Sequence, residues 1–102
     1  MAKEITDAQF DQEIKEGTAL VDFWAPWCGP CLMMAPVYDK MSQKYPQLKF
    51  LKVNTTENLE QAGKYGVSGI PCIIVFKDGQ EIDRLVGFRP EPAFEEAIKK
   101  YL

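Results

Sequence analysis

Two runs of almost unbroken apolar residues, 19–25 and 72–77, constrain the fold of this chain more than any other feature. A strand that is apolar on both faces is typical of the interior of a sheet that helices cover on both sides. Three further segments, less uniformly apolar, predict strands at residues 3–5, 48–53 and 81–86. The sequence therefore predicts a five-stranded sheet with buried interior strands.

Helical patterns and turn residues separate these strands. Thr6 and Gln9 have the spacing of a capping box, and Gly17 stands where the first helix would stop. Asp78-Gly79 predicts a tight hairpin turn between the last two strands. The other predicted helices are 29–45 with a kink at Pro36, 57–65 ending near Gly66, and one starting at Pro90 and Pro92 with Phe94, Ile98 and Leu102 on one face. This order predicts one α/β domain, residues 1–102, with a central five-stranded mixed β-sheet flanked by four α-helices.

Composition narrows the possible partners and compartment. The 102 residues carry a net charge of −3, which argues against nucleic acid or an anionic membrane as the main partner. No segment approaches the roughly 20 apolar residues that span a bilayer, and residues 1–6 lack the apolar stretch of a secretory signal. Unless a leader has been removed, we expect a cytoplasmic protein, and in a reducing compartment paired cysteines are more often catalytic or metal-binding than structural.

Cys28 and Cys31 carry the strongest chemical signal, because two residues separate them at the predicted start of a helix. Side chains at i and i+3 lie about 5–6 Å apart at Cβ, a spacing that allows either a dithiol or a disulfide. At a helix N-terminus, free N–H groups and the helix dipole lower the pKa of a thiol. Two other interpretations stay open: a static disulfide, although so small a ring restricts the unfolded chain little, and half of a zinc site, although zinc needs about four ligands.

The segment Trp27-Cys28-Gly29-Pro30-Cys31, which follows an apolar strand, resembles the active site of the thioredoxin family, and the similarity extends over nearly the whole chain. The resemblance implies the thioredoxin fold and a protein-disulfide reductase that cycles between dithiol and disulfide. Cys28 would be the nucleophile and Cys31 the resolving thiol. It also implies a monomer whose partners are disulfide-containing client proteins and a thioredoxin reductase, NADPH- or ferredoxin-linked. The chain has no flavin or nucleotide motif, so we expect no cofactor and electrons supplied by another protein.

Asp22 and Lys52 are single charges inside otherwise apolar strands. Burial would raise the pKa of Asp22 toward neutrality, and two lone opposite charges in apolar strands predict a buried or half-buried pair. The resemblance implies that Asp22 lies beneath Cys31 and relays its proton, with Lys52 nearby. The alternatives are an Asp22 that faces outward and a Lys52 that extends its ammonium to solvent.

The resemblance also implies an apolar ring around Cys28, which we call the docking rim because it is expected to bind client proteins. The Ile70–Pro71 peptide bond within it is expected to be cis and to face the dithiol. The backbone beside Pro71 would pair with an incoming client strand. The alternative for Trp27 is a core aromatic. The residues of the docking rim are Trp27, Gly29, Pro30, Gly69, Ile70, Pro71, Val86, Gly87 and Phe88.

Three places depart from the family pattern. Leu32 stands where the family commonly has Lys or Arg, and two methionines follow it. Thr55-Thr56 replaces an apolar-Asp pair and makes one edge of the docking rim more polar. Cys72 replaces the usual threonine after Pro71 and would place a third thiol near the dithiol. Cys72 would form an off-pathway disulfide, act as a regulatory or dimer-forming thiol or, as we favour, be a small buried residue that fills the space of the threonine.

Two other functions compete with the reductase. A disulfide oxidase or isomerase would have the same fold, but oxidising relatives carry a histidine in the dipeptide occupied here by Gly29-Pro30. The missing secretory signal argues against it as well. A non-enzymatic module would bind a partner or a metal through Cys28, Cys31 and Cys72. Three thiols are too few for most metal sites, so we expect no metal.

Overall fold

The computed structural model describes residues 2–102, and its elements follow the predicted order. The strands are β1 (Lys3–Glu4), β2 (Thr18–Trp24), β3 (Lys49–Asn54), β4 (Cys72–Lys77) and β5 (Gln80–Val86). The helices are α1 (Asp7–Ile14), α2 (Gly29–Lys44), α3 (Glu60–Lys64) and α4 (Glu91–Ile98), the last followed by a 3₁₀ turn (Lys99–Tyr101). The strands form one sheet in the order β1-β3-β2-β4-β5, parallel from β1 to β2 and antiparallel from β2 to β5. The predicted fold class is confirmed.

The sheet separates two apolar cores, because successive side chains of a strand point to opposite faces. On one face, α1 and α3 cover a core in which the Phe10 ring packs 5.9 Å from Phe23 and 5.6 Å from Phe76 between centroids. On the other face, α2 and α4 cover a core around Tyr38 and Phe94, whose centroids are 6.0 Å apart. The interior strands β2 and β4 contribute to both cores, as their unbroken apolar sequences predict.

The buried hydroxyl of Tyr38 fixes α2 against the sheet. It lies within hydrogen-bond distance of two strand carbonyl oxygens, 2.9 Å from Leu20 on β2 and 2.8 Å from Leu51 on β3. Burial raises the pKa of Tyr38 well above its usual value, so the hydroxyl stays protonated and can donate. The helix is thereby held in a set position relative to the strand that precedes it.

The predicted turn at Asp78-Gly79 is confirmed, and both residues have positive φ angles, 50° and 84°. Such angles are those of the hairpin turns that match the twist of two antiparallel strands. The Asp78 carboxylate accepts a hydrogen bond from the Gly17 N–H at 2.9 Å, and the Asp78 N–H donates to the Gly17 carbonyl at 2.9 Å. The turn therefore anchors the loop between α1 and β2.

Some predicted boundaries are wrong at the ends of elements. The third helix begins at Glu60 rather than 57, because residues 57 and 58 form a turn whose N–H groups bond to the Asn54 carbonyl. Leu102 does not share the face of Phe94 and Ile98. It is 54% exposed, since the chain after Ile98 winds with the three-residue period of a 3₁₀ turn.

The long helix α2 runs without interruption through Pro36, so the predicted kink there remains a prediction. Within residues 2–102, no helix is both long and apolar enough to cross a membrane.

Candidate active site

Cys28 and Cys31 form a disulfide at the start of α2, with their Cα atoms 5.2 Å apart. Cys28 is the N-cap residue, with an extended backbone, and its Sγ accepts a hydrogen bond from the Cys31 N–H at 3.2 Å. Pro30 lies in the first turn, where a missing N–H costs no intrahelical bond. The sulfur of Cys28 therefore occupies the place where a helix N-terminus stabilises negative charge.

The two cysteines differ in accessibility. Cys28 is 6% exposed and Cys31 is 2% exposed, so Cys28 is the more accessible of the two. Together with Ala25 they form a small buried cluster against which Trp24 and Ile70 pack. The Ile70 carbonyl oxygen lies 3.8 Å from Cys28 Sγ. The segment before β4 therefore borders the disulfide directly.

Asp22 is buried on β2, as predicted, with 1% of its surface exposed. Neither carboxylate oxygen has a hydrogen-bond partner among the described residues. Burial raises the pKa of Asp22 to about 7, against the opposing effect of Lys52, while Glu4 and Asp39 raise it further. A carboxyl group with this pKa can both accept and donate a proton at neutral pH.

Lys52 is the register partner of Asp22 on β3 and is half-buried. The predicted pair therefore exists as neighbouring strand positions, but among the described residues the two side chains form no ion pair. Lys52 Nζ lies instead 4.7 Å from the centroid of the Trp24 ring. An ammonium on an aromatic face avoids part of the desolvation that a buried ion pair requires.

The docking-rim residues differ in exposure, and Ile70 among them packs against the Cys28–Cys31 cluster. The Ile70–Pro71 bond is cis, as expected, and the Gly87 N–H donates to the Pro71 carbonyl at 2.8 Å, which joins two segments of the rim. Trp27 is 73% exposed, so the core alternative for it is wrong. Among the other rim residues, Gly29, Pro30, Val86 and Phe88 are exposed, Gly69, Ile70 and Gly87 are half-buried, and Pro71 is buried.

A groove of about 430 Å³ adjoins the rim on the side of α3 and contains a residue that the sequence reasoning missed. Leu59, 72% exposed, lines it together with Trp27, Val67 and Ile70. The available signal was an isolated leucine between Asn58 and Glu60, but residues 57–65 were interpreted as helix, which hid its exposure.

Some of the residues that depart from the family pattern are exposed and others are buried. Leu32 and Met33 are exposed on α2 and enlarge the apolar area beside the disulfide, whereas Met34 is fully buried. The Thr55 hydroxyl donates to the Trp24 carbonyl at 3.0 Å, so its polarity is used within the chain.

Cys72 is a free thiol that is 1% exposed. Its side chain belongs to the core covered by α1 and α3, on the opposite face of the sheet from α2. Burial raises the pKa of this thiol, against the opposing effect of Arg84, and so lowers its reactivity. This placement favours the packed residue over the regulatory or dimer-forming thiol.

No group of three potential ligands able to hold a metal ion occurs among residues 2–102. The disulfide at Cys28 and Cys31 supports thiol–disulfide exchange.

Comparison with known proteins gives consistent results over the whole chain. The sequence profile of the family described as Thioredoxin matches residues 1–100. Thioredoxin from Bacillus subtilis is 49% identical over 98 residues, which cover 95% of this chain and 94% of that protein. Thioredoxin 1 from Synechococcus elongatus is 49% identical over 105 residues, which cover 100% of this chain and 98% of that protein. A solved structure of Plasmodium falciparum thioredoxin is 36% identical, with a TM-score of 0.93, and the match covers 99% of this chain and 100% of that one.

Proposed function

The chain belongs to the thioredoxin family and is a dithiol–disulfide oxidoreductase whose redox centre is Cys28 and Cys31, and on this premise we propose that it works as a protein-disulfide reductase. The helix N-cap position of Cys28, with its sulfur accepting the Cys31 N–H, supports its role as the nucleophile. The observation that carries the direction of transfer is the uncharged dipeptide between the two cysteines. Gly29 and Pro30 between the cysteines add no charge that would stabilise the reduced form further. The pair therefore favours giving electrons to a client disulfide.

In the first step, the Cys28 thiolate attacks one sulfur of a client disulfide. A bond forms between Cys28 Sγ and that sulfur, the client S–S bond breaks, and the other client sulfur leaves as a thiolate. Trp27, exposed beside Cys28, would contact the client through its ring, while the backbone at Ile70 and Pro71 would pair with a client strand. The remaining docking-rim residues supply apolar area around this contact.

In the second step, Cys31 resolves the mixed disulfide. The Asp22 carboxylate takes the Cys31 proton, and the resulting thiolate attacks Cys28 Sγ. The bond between Cys28 and the client breaks, and the client leaves with its second thiolate. The Cys28–Cys31 disulfide, which is the state of the structure, is the product, so two electrons have passed to the client. Lys52 would lower the pKa of Asp22 and so affect how readily the carboxylate accepts the proton.

A new cycle needs two electrons from a partner, after which the Asp22 carboxyl group returns its proton to Cys31. We expect a thioredoxin reductase, NADPH- or ferredoxin-linked, since the family acts with such a partner and this chain lacks a nucleotide motif. We further propose that the protein acts as a cytoplasmic monomer. Cys72 takes no part in this cycle, because its buried position keeps it from clients.

Trapping the mixed disulfide tests the roles of the two cysteines. Cys31→Ser, mixed with a disulfide-containing protein such as insulin, should accumulate a covalent complex through Cys28 that a reducing agent releases. Cys28→Ser should form none, and Cys72→Ser, which removes the third thiol only, should behave as the wild type. A complex that persisted in Cys28→Ser would show that another thiol is the nucleophile.

A further inference from the structure

Three charged residues occupy one row across the parallel half of the sheet. Glu4 on β1 is the register partner of Lys52 on β3, and Lys52 is the register partner of Asp22 on β2. Register partners point to the same face of a parallel sheet. The Lys52 side chain therefore lies between two acids, of which Asp22 is buried and Glu4 is exposed at the sheet edge.

The contacts show where the ammonium lies between these acids. Lys52 Nζ lies on the face of the Trp24 indole, 4.7 Å from the ring centroid. The indole N–H donates to Glu4 Oε2 at 3.2 Å. Both oxygens of Asp22 remain without a hydrogen-bond donor among residues 2–102. Glu4 thus fixes the edge of the indole, and the face of the indole holds Lys52 by a cation–π contact.

We propose that Glu4 is a positioning residue for the dithiol chemistry, because by fixing Trp24 it keeps Lys52 on the indole and away from Asp22. The proposal rests on the proposed function, in which Asp22 takes a proton from Cys31. An ammonium in contact with Asp22 would hold the carboxyl group ionised. A group that takes and returns a proton at neutral pH works best when its pKa is near that pH.

Other groups also act on Asp22, and their directions are consistent with this role of Glu4. Burial raises the pKa of Asp22, Lys52 lowers it, and Glu4 raises it. Asp39 on α2 also raises it. The Tyr38 hydroxyl on α2 is neutral, since burial raises its pKa and keeps it protonated at neutral pH. The Cys72 thiol on β4 is also kept neutral by burial, which raises its pKa, but it lies on the opposite face of the sheet.

Titration of the Asp22 carboxyl carbon by NMR tests the proposal. The oxidised protein is used, because its redox cysteines do not titrate and the readout needs no activity. Glu4→Ala should lower the midpoint of the Asp22 titration by about 0.5 pH or more, as loss of a charge two strand spacings away and release of Lys52 both favour the ionised form. The matched control is Glu16→Ala, which removes an exposed charge before β2 and should leave the midpoint unchanged.

A second background separates positioning by Glu4 from simple repulsion. In Lys52→Met, where there is no ammonium to hold, Glu4→Ala should shift the midpoint by less than half as much. An equal shift in both backgrounds, or no shift in either, would overturn the proposal. A separate experiment tests the role of Asp22 in the proposed function. If Asp22→Asn reduced disulfides with the pH profile of the wild type, Asp22 would not take the Cys31 proton, whatever the titrations show.

Discussion

Replacing Asp22 with alanine should stabilise the folded protein at neutral pH, although the same change removes the proposed proton carrier. Asp22 is buried, and its carboxylate has no hydrogen-bond partner among the described residues. The ionised form therefore lacks hydrogen bonds in an apolar environment, and the charge of Lys52 offsets only part of this cost. A residue kept at such a cost to stability is expected to serve the chemistry of the site.

The magnitude follows from the pKa of Asp22, which burial raises from 3.8 to about 7. Below about pH 4 the carboxyl group is protonated in both the folded and the unfolded chain, so its titration does not change the free energy of unfolding. Between pH 4 and 7 the unfolded chain loses the proton while the folded protein keeps it, so the free energy of unfolding falls as pH rises. Above pH 7 the loss is complete, and the pKa difference corresponds to about 4 kcal/mol.

Urea unfolding of the oxidised protein at pH 4, 6 and 8 measures this effect. The gain in the free energy of unfolding of Asp22→Ala over the wild type should be larger by about 3–4 kcal/mol at pH 8 than at pH 4. The control Asp11→Ala removes an exposed acid of α1. Its free energy of unfolding should differ from that of the wild type by the same amount at all three pH values. A pH-independent difference for Asp22→Ala would refute the reasoning.

Other substitutions test the core, the docking rim and the third thiol. Cys72→Ser should keep insulin-reducing activity within about twofold of the wild type while lowering urea stability by about 1–2 kcal/mol, because a hydroxyl is buried among apolar side chains; loss of most activity would refute the two-cysteine mechanism. Tyr38→Phe should lower the free energy of unfolding by about 1–3 kcal/mol, since the carbonyls of Leu20 and Leu51 lose their donor; an unchanged urea midpoint would contradict this. Trp27→Ala should lower kcat/KM for a client protein and leave the reduction potential unchanged; equal kcat/KM would remove Trp27 from the docking rim.

The sequence predicted the architecture because its signals are local and strong. The runs 19–25 and 72–77 are apolar on both faces, and Asp78-Gly79 tolerates the positive φ angles of a tight turn. The ends of elements were less predictable. The start of α3 depends on hydrogen bonds to the Asn54 carbonyl, and the exposure of Leu102 depends on a 3₁₀ turn. Neither feature has a pattern that is visible in the sequence.

At the site, burial could be predicted and side-chain partners could not. Asp22 lies within an apolar strand, so the sequence was sufficient to predict its burial. The partner of Lys52 depends on which side chains the sheet brings together across strands. Trp24 and Glu4 come from two strands that are not adjacent in the sheet, and the sequence alone does not show that the indole binds Glu4 at its edge and Lys52 on its face.

The reduction potential of the Cys28–Cys31 couple tests the central claim most directly. It can be followed at neutral pH by tryptophan fluorescence in defined thiol–disulfide buffers, with Cys72→Ser beside the wild type. A disulfide reductase should give the same value for both proteins, at or below the glutathione poise of about −220 to −260 mV. A value near those of oxidising folding enzymes, about −120 to −180 mV, would contradict the account.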